Sequence, residues 1–144
     1  MENGKAMTLL MQVVKSDIEK AMGREALRPY AEVFSQRMAA LHETTMHLVQ
    51  LAMAHPAEVF LADATLYLEF FGTAVIAWQW LRQGCCIPEQ LHRLPDGPEK
   101  DFYLGKLNAL GYFFEYELPK TLALEIRLKS TNRITLDTSP QSIN

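Results

Sequence analysis

A chain of 144 residues is the size of one domain and long enough to bury a core. Apolar residues make up 49% of it and charged residues 22%, the balance of a folded globular domain. Its 14 basic and 17 acidic residues are scattered rather than blocked, so the electrostatic footprint of a nucleic-acid binder is missing.

The opening, "MENGKAMTLLMQVVKSDIEKAM", has no charged region followed by an apolar stretch and a small-residue cleavage site, so it does not read as a secretory signal. No N-x-S/T acceptor occurs, and the two cysteines, Cys85 and Cys86, are adjacent. Neighbouring cysteines form a disulfide only through a strained ring, and they lack the C-x-x-C spacing of a metal site. They read as two small hydrophobes at a helix end, and a reducing, cytoplasmic setting is expected.

Apolar residues recur at three- and four-residue spacing almost throughout, without the alternation of strands. The first helix is predicted over about 4–22. Its inward stripe is Met7, Leu10, Met11, Val14, Ile18 and Met22, and Gly23 follows as the residue past its end. The second covers about 27–55, with Pro29 in its first turn and an inward set of Tyr30, Phe34, Met38, Leu41, Thr45, Leu48 and Ala52. "HP" at His55–Pro56 closes it, because a residue before proline avoids helical geometry.

The third helix restarts at Ala57 and continues to about Gln83, stopped by Gly84 and Pro88. It contains "FFGTAVIAWQWLRQGCC" (70–86), the most apolar passage of the chain, with both tryptophans. The uncharged run between Glu69 and Arg82 falls short of the roughly 20 residues of a membrane span. No cluster of Lys or Arg flanks it. It is expected to be a central core helix, with Gly72, Ala74 and Ala77 admitting a close neighbour. "IPEQLHRLPDGP" reads as a loop, having three prolines and an Asp-Gly pair.

The fourth helix begins near Pro98 and runs to about Ser130, kinked at Pro119. Its aromatics (Phe102, Tyr103, Tyr112, Phe113, Phe114, Tyr116) are expected to pack on the third helix. The fold class is therefore all-α, an antiparallel four-helix bundle with long helices, the last kinked at a proline. One domain spans 1–130, and 131–144 is expected to be a flexible tail.

Candidate chemistry is sparse. "HETTMH" puts Met46 where a zinc-protease motif needs its second histidine, and His42 and His47 are about 140° apart around a helix. Asp63, Glu69, Glu115 and Glu117 lie in apolar neighbourhoods where a carboxyl can be tuned for acid–base work. The commoner outcome is a polar helix edge or a pair with an arginine such as Arg82. Glu89–His92 has the Glu-x-x-His spacing of di-iron bundles, but it has no second copy and lies in the predicted loop. No phosphate-binding loop, dinucleotide fingerprint, nucleophile elbow or Cys/His dyad is present. No catalytic, cofactor-binding or metal-binding residue is therefore assigned.

Two segments carry more. "ADATLYLEFFGTAVIAWQWLRQG" (62–84) and "DFYLGKLNALGYFFEYELPKTLALEIRL" (101–128) resemble the C-terminal extension of a subgroup of acyl-CoA dehydrogenases. The resemblance lies in the W-x-W-L-R-Q phrase at 78–83, F-Y-x-x-K-L at 102–107, Y-F-F at 112–114 and E-L-P at 117–119. "NGKAM" at 3–7 and "ETTMHLV" at 43–49 fit the same lead-in.

The resemblance implies an accessory helical domain giving structure or domain and subunit contacts. Upstream catalytic domains of the parent enzyme are its implied partners, and a homodimer is a further one. FAD belongs to those parent domains, and no cofactor to this chain. The chain is expected to be one piece of a longer flavin-dependent oxidoreductase and not catalytic by itself. The alternative is a free-standing bundle binding an apolar, acyl-type ligand, which requires an internal cavity of several hundred Å3. A membrane-surface module ranks third, since Lys5, Lys15 and Lys20 face Asp17 and Glu19 on the first helix.

Overall fold

The computed structural model describes residues 2–142, and all the regular structure among them is helical. Helix α1 (Glu2–Met22) carries the predicted stripe inward, with Val14 buried and Met7, Leu10, Met11, Ile18 and Met22 half-buried. Helix α2 (Arg28–Ala54) begins with its proline in the first turn and buries Phe34, Met38, Leu41 and Leu48. Ala52, expected inside, is exposed, because full burial on α2 ends at Leu48 and its last turn extends past the core. The chain leaves α2 through an extended His55.

The predicted third helix is two helices, α3 (Ala57–Leu61) and α4 (Ala64–Gly84). The break falls at Asp63, whose φ of −117° and ψ of 16° are not helical and whose carboxylate meets Arg127 and Arg133. Gly84 does not lie beyond the helix but ends it, buried. A Cβ there would stand 2.7 Å from Leu110 Cδ1 and 3.1 Å from Leu27 Cδ2, so the absent side chain lets three elements meet.

The predicted loop contains a helix, α5 (Ile87–Arg93). Pro88 stands in its first turn, where the missing N–H costs nothing, so it starts this helix rather than stopping the previous one. Glu89 lies in the first turn and His92 and Arg93 in the last, the charge order a helix dipole favours.

Helix α6 (Pro98–Tyr112) passes through a π-helical turn (Phe113–Glu117) into α7 (Lys120–Lys129). Pro119 has no N–H to return to the preceding turn. The helix widens just before it, and Leu118 N–H reaches back five residues to Phe113 O at 2.9 Å. The expected kink thus takes the form of a π turn.

Long helices adjacent in sequence run antiparallel. Leu27, just before α2, meets Gly84 at the end of α4, and Asp63, just before α4, meets Arg127 near the end of α7. Helices α1 and α4, and α2 and α7, are parallel neighbours, as Asp17–Trp78 and the pair Arg37–Thr121 and Glu43–Lys129 show. Past α7, Arg133 is buried, a short α8 (Ile134–Asp137) is exposed, and the last described turn is Pro140–Ser142. The final residues of the segment expected to be a tail, 143–144, lie outside the described residues.

One face of α4 is left open, and the expectation for the fourth-helix aromatics is corrected. Helix α4 is not enclosed all round: Phe70, Ala74, Ala77 and Leu81 are buried, but Leu68 is 67% and Ile76 50% exposed. Of the fourth-helix aromatics, only Phe114 is buried, against Tyr30 with ring centroids 5.3 Å apart. Phe113 and Tyr103 are half-buried, while Phe102, Tyr112 and Tyr116 are exposed. Aromatics occur all round that helix, and only one side of it can reach α4.

Candidate functional site

The sequence candidates do not assemble into one site. His42 is exposed, and His47 is half-buried with Nε2 unpartnered. Among the described residues, no group of three His, Cys, Asp or Glu side chains could hold a metal ion. Both cysteines are free, and burial pushes the Cys85 thiol above its ordinary value, with the nearby Arg24 charge opposing the shift. Glu69 and Glu115 are exposed, and Glu117 pairs with Lys120 at 2.9 Å. Glu89 and His92 stand exposed on α5.

Asp63 is buried and paired, though not with Arg82. Arg127 Nε lies 3.3 Å and Arg133 Nε 3.4 Å from its Oδ2. Arg133 also donates to the carbonyls of Ser130 and Asn132 and, at 3.4 Å, to that of Val59. Arg82 instead meets Asp17 Oδ2 at 3.3 Å, an oxygen that also accepts the Trp78 indole N–H at 2.8 Å. The register of α1 against α4 brings these together, and the sequence reading missed Asp17 although it falls on the inward face of α1.

A third node joins α2 to α7. Arg37 Nε donates to Thr121 Oγ1 at 3.0 Å, one Nη reaches Glu125 at 3.2 Å, and the guanidinium sits 5.3 Å from the Phe70 ring centre. Lys129 extends the chain of charge to Glu43 at 3.1 Å. Each polar node links helices distant in sequence, and each buried charge has a counter-charge, as burial demands.

The interior leaves little room. The enclosed apolar spaces among α1, α2 and α4, lined by Leu10, Met38, Leu41 and Phe71, are about 10 Å3 each, the room of about one water molecule. The wide depression by Gly4, Lys5, Thr8, Leu9 and Gln12 is formed by α1 alone and encloses nothing. A cleft of about 110 Å3 opens between α4 and α6, lined by Trp80, Gln83, Ile87, Phe102, Tyr103 and Lys106. Lys106 Nζ sits 5.8 Å from the Trp80 and 5.4 Å from the Phe102 ring centre.

Apolar side chains are exposed on several helices, Met46 and Met53 on α2 and Tyr112, Leu122 and Ile126 along α6 and α7 among them, and α4 adds its outer side. Leu68, Gly72, Ile76 and Trp80 follow one another at four-residue spacing and form a ridge that winds about 120° around the helix, with Leu68 and Ile76 exposed and Gly72 and Trp80 half-buried. A Cβ on Gly72 would meet nothing within 4 Å. The corner at 85–87 carries no apolar patch: Ile87 is buried, Cys85 half-buried and only Cys86 exposed.

Fold and sites together define an all-α bundle, fastened between helices by buried ion pairs and carrying an apolar row outside. The chain belongs to the family described as acetyl-CoA dehydrogenase C-terminal like, which matches residues 10–139. That range takes in the phrases at 78–83, 102–107, 112–114 and 117–119 that carry the resemblance in sequence. Among curated proteins and among solved structures, nothing matches. No helix among the described residues is long and apolar enough to cross a membrane.

Proposed function

We propose that this domain is an accessory, non-catalytic part of a flavin-dependent acyl-CoA dehydrogenase, packing on the catalytic domains or across a subunit interface. The observation that carries the proposal is the outward row on α4. Leu68 and Ile76, large apolar side chains exposed on the most apolar helix, mark a surface that another protein body covers. A homodimer across that row and a cytoplasmic setting belong to the same reading, the latter supported by the adjacent free thiols.

The residues of this chain do not fit FAD. Pockets for ligands of that size run to about 300–1,000 Å3; the cleft at Trp80 has about 110 Å3, and the larger depressions, about 270 Å3 by Met11, Lys15 and His42 and about 560 Å3 on α1, are open surface. FAD and the acyl-CoA fall to the catalytic domains, and no chemical step is placed on this chain. The packed interior speaks equally against the alternative of an enclosed acyl ligand.

Native mass spectrometry of the purified chain tests this reading. Masses of the bare chain or of its dimer, free of small molecules, are expected. Stoichiometric flavin would overturn the accessory role, and a retained acyl-CoA or fatty acid would put the ligand-binding alternative in its place.

A further inference from the structure

The cleft at the end of the outward row has a chemistry that bundle packing does not use. Of the lysines on α6 and α7, Lys100 reaches Asp96, Lys120 reaches Glu117 and Lys129 reaches Glu43. Lys106 meets no carboxylate among the described residues, and its ammonium rests on the Trp80 and Phe102 rings. Ring faces attract a cation but leave its charge uncompensated, and apolar walls on one side take water from it. Gln83 and Tyr103 line the same cleft, with neither side chain hydrogen-bonded to another described residue. Phe102, 59% exposed, leaves the apolar wall half covered.

An apolar cleft with an ammonium, an amide and a hydroxyl along it suits a carboxylate on a short apolar stem. Its size of about 110 Å3 suits a side chain rather than a cofactor. Trp80 stands one turn past the exposed Ile76 and about 40° further around α4, so a body that covers Ile76 lies beside the cleft. We infer that the Trp80–Lys106 cleft receives an aspartate or glutamate side chain of the catalytic domain that covers the α4 row. This rests on the docking reading above and adds the residue that sets how the partner is oriented. Lys106 supplies charge, and the rings supply the walls.

The probe is butyrate, with butyramide as its uncharged twin, titrated into the 15N-labelled chain. The Trp80 indole N–H is followed, and the Trp78 indole, held by Asp17, serves as the internal reference. A saturable Trp80 shift with butyrate is expected, with butyramide roughly tenfold weaker or silent. Lys106→Met should abolish the shift and Lys106→Arg should retain it, with far-UV circular dichroism showing both variants folded. Equal responses to the two probes, no saturable response, or a shift unchanged in Lys106→Met would each overturn the assignment. The titration needs no partner domain, so its failure leaves docking through Leu68 and Ile76 standing. Failure of that docking would leave the titration unchanged.

Discussion

Helices α2 and α4 invert what their compositions suggest. Helix α4 holds the most apolar passage of the chain, yet Leu68 and Ile76 on it face outward. Helix α2 carries Arg37 and Thr44 and buries both among its eight buried residues. The difference is one of neighbours. Helix α2 packs against α1, α4 and α7, and its polar groups are answered there: Arg37 by Thr121 and Glu125, and Thr44 by the Ala40 carbonyl at 2.7 Å. Helix α4 packs against α1, α2, α5, α6 and α7 but keeps one row beyond their reach. Apolar excess on a helix that its own bundle cannot cover points to a partner outside it.

The comparison can be broken first at the core. Phe70→Ala removes a fully buried ring and should cost about 3–5 kcal/mol, read as a lower urea midpoint. Arg37→Ala should cost about 1–3 kcal/mol, because it leaves the buried Thr121 hydroxyl without its donor and Glu125 with Lys129 alone, at 3.6 Å. Equal stability in that variant would mean that the α2–α7 node contributes nothing and that burial on α2 rests on its apolar residues alone.

Glycines sharpen the contrast, with smaller effects. Gly72→Ala adds a methyl into open space on α4 and should stabilise the isolated chain by about 0.5–1 kcal/mol through helix propensity. At Gly84 the same change presses on Leu110 and Leu27, so the propensity gain is offset by overpacking and the variant should fall below Gly72→Ala in thermal midpoint. A higher midpoint for Gly84→Ala would mean that Leu110 repacks freely.

The fold class was legible because helical spacing runs through the whole chain, and the inward stripe of α1 and most of that of α2 followed from it. What periodicity could not show was register. Asp63 was visible as a carboxylate in an apolar neighbourhood, but its partners lie 64 and 70 positions away and meet it only when α7 returns beside α4. Asp17 was read as a surface charge for the same reason, since its indole and guanidinium partners are on α4. Pro88 misled because a proline serves both to end one helix and to begin another. The outward row was hidden by its own composition: Leu68 and Ile76 are as apolar as the residues α4 buries, so residue type does not say which side is left uncovered. The phrases around Trp78 and Tyr112 identified the family without indicating which of their side chains face in.

The smallest effect on stability separates the two helices most cleanly. Ile76→Glu places a charge on the outer row of α4, where half the native side chain already meets water. A surface change of this kind should move the unfolding free energy of the isolated chain by no more than about 0.5 kcal/mol. The same substitution at a covered interface buries a carboxylate without a partner, which proteins tolerate poorly. Joined to its catalytic domains, the Ile76→Glu variant should lose domain contact, read as faster proteolysis between them, while the isolated domain melts as before. If the isolated variant instead unfolds as readily as Phe70→Ala, the row is part of the bundle core, and the case for a partner on α4 falls with it.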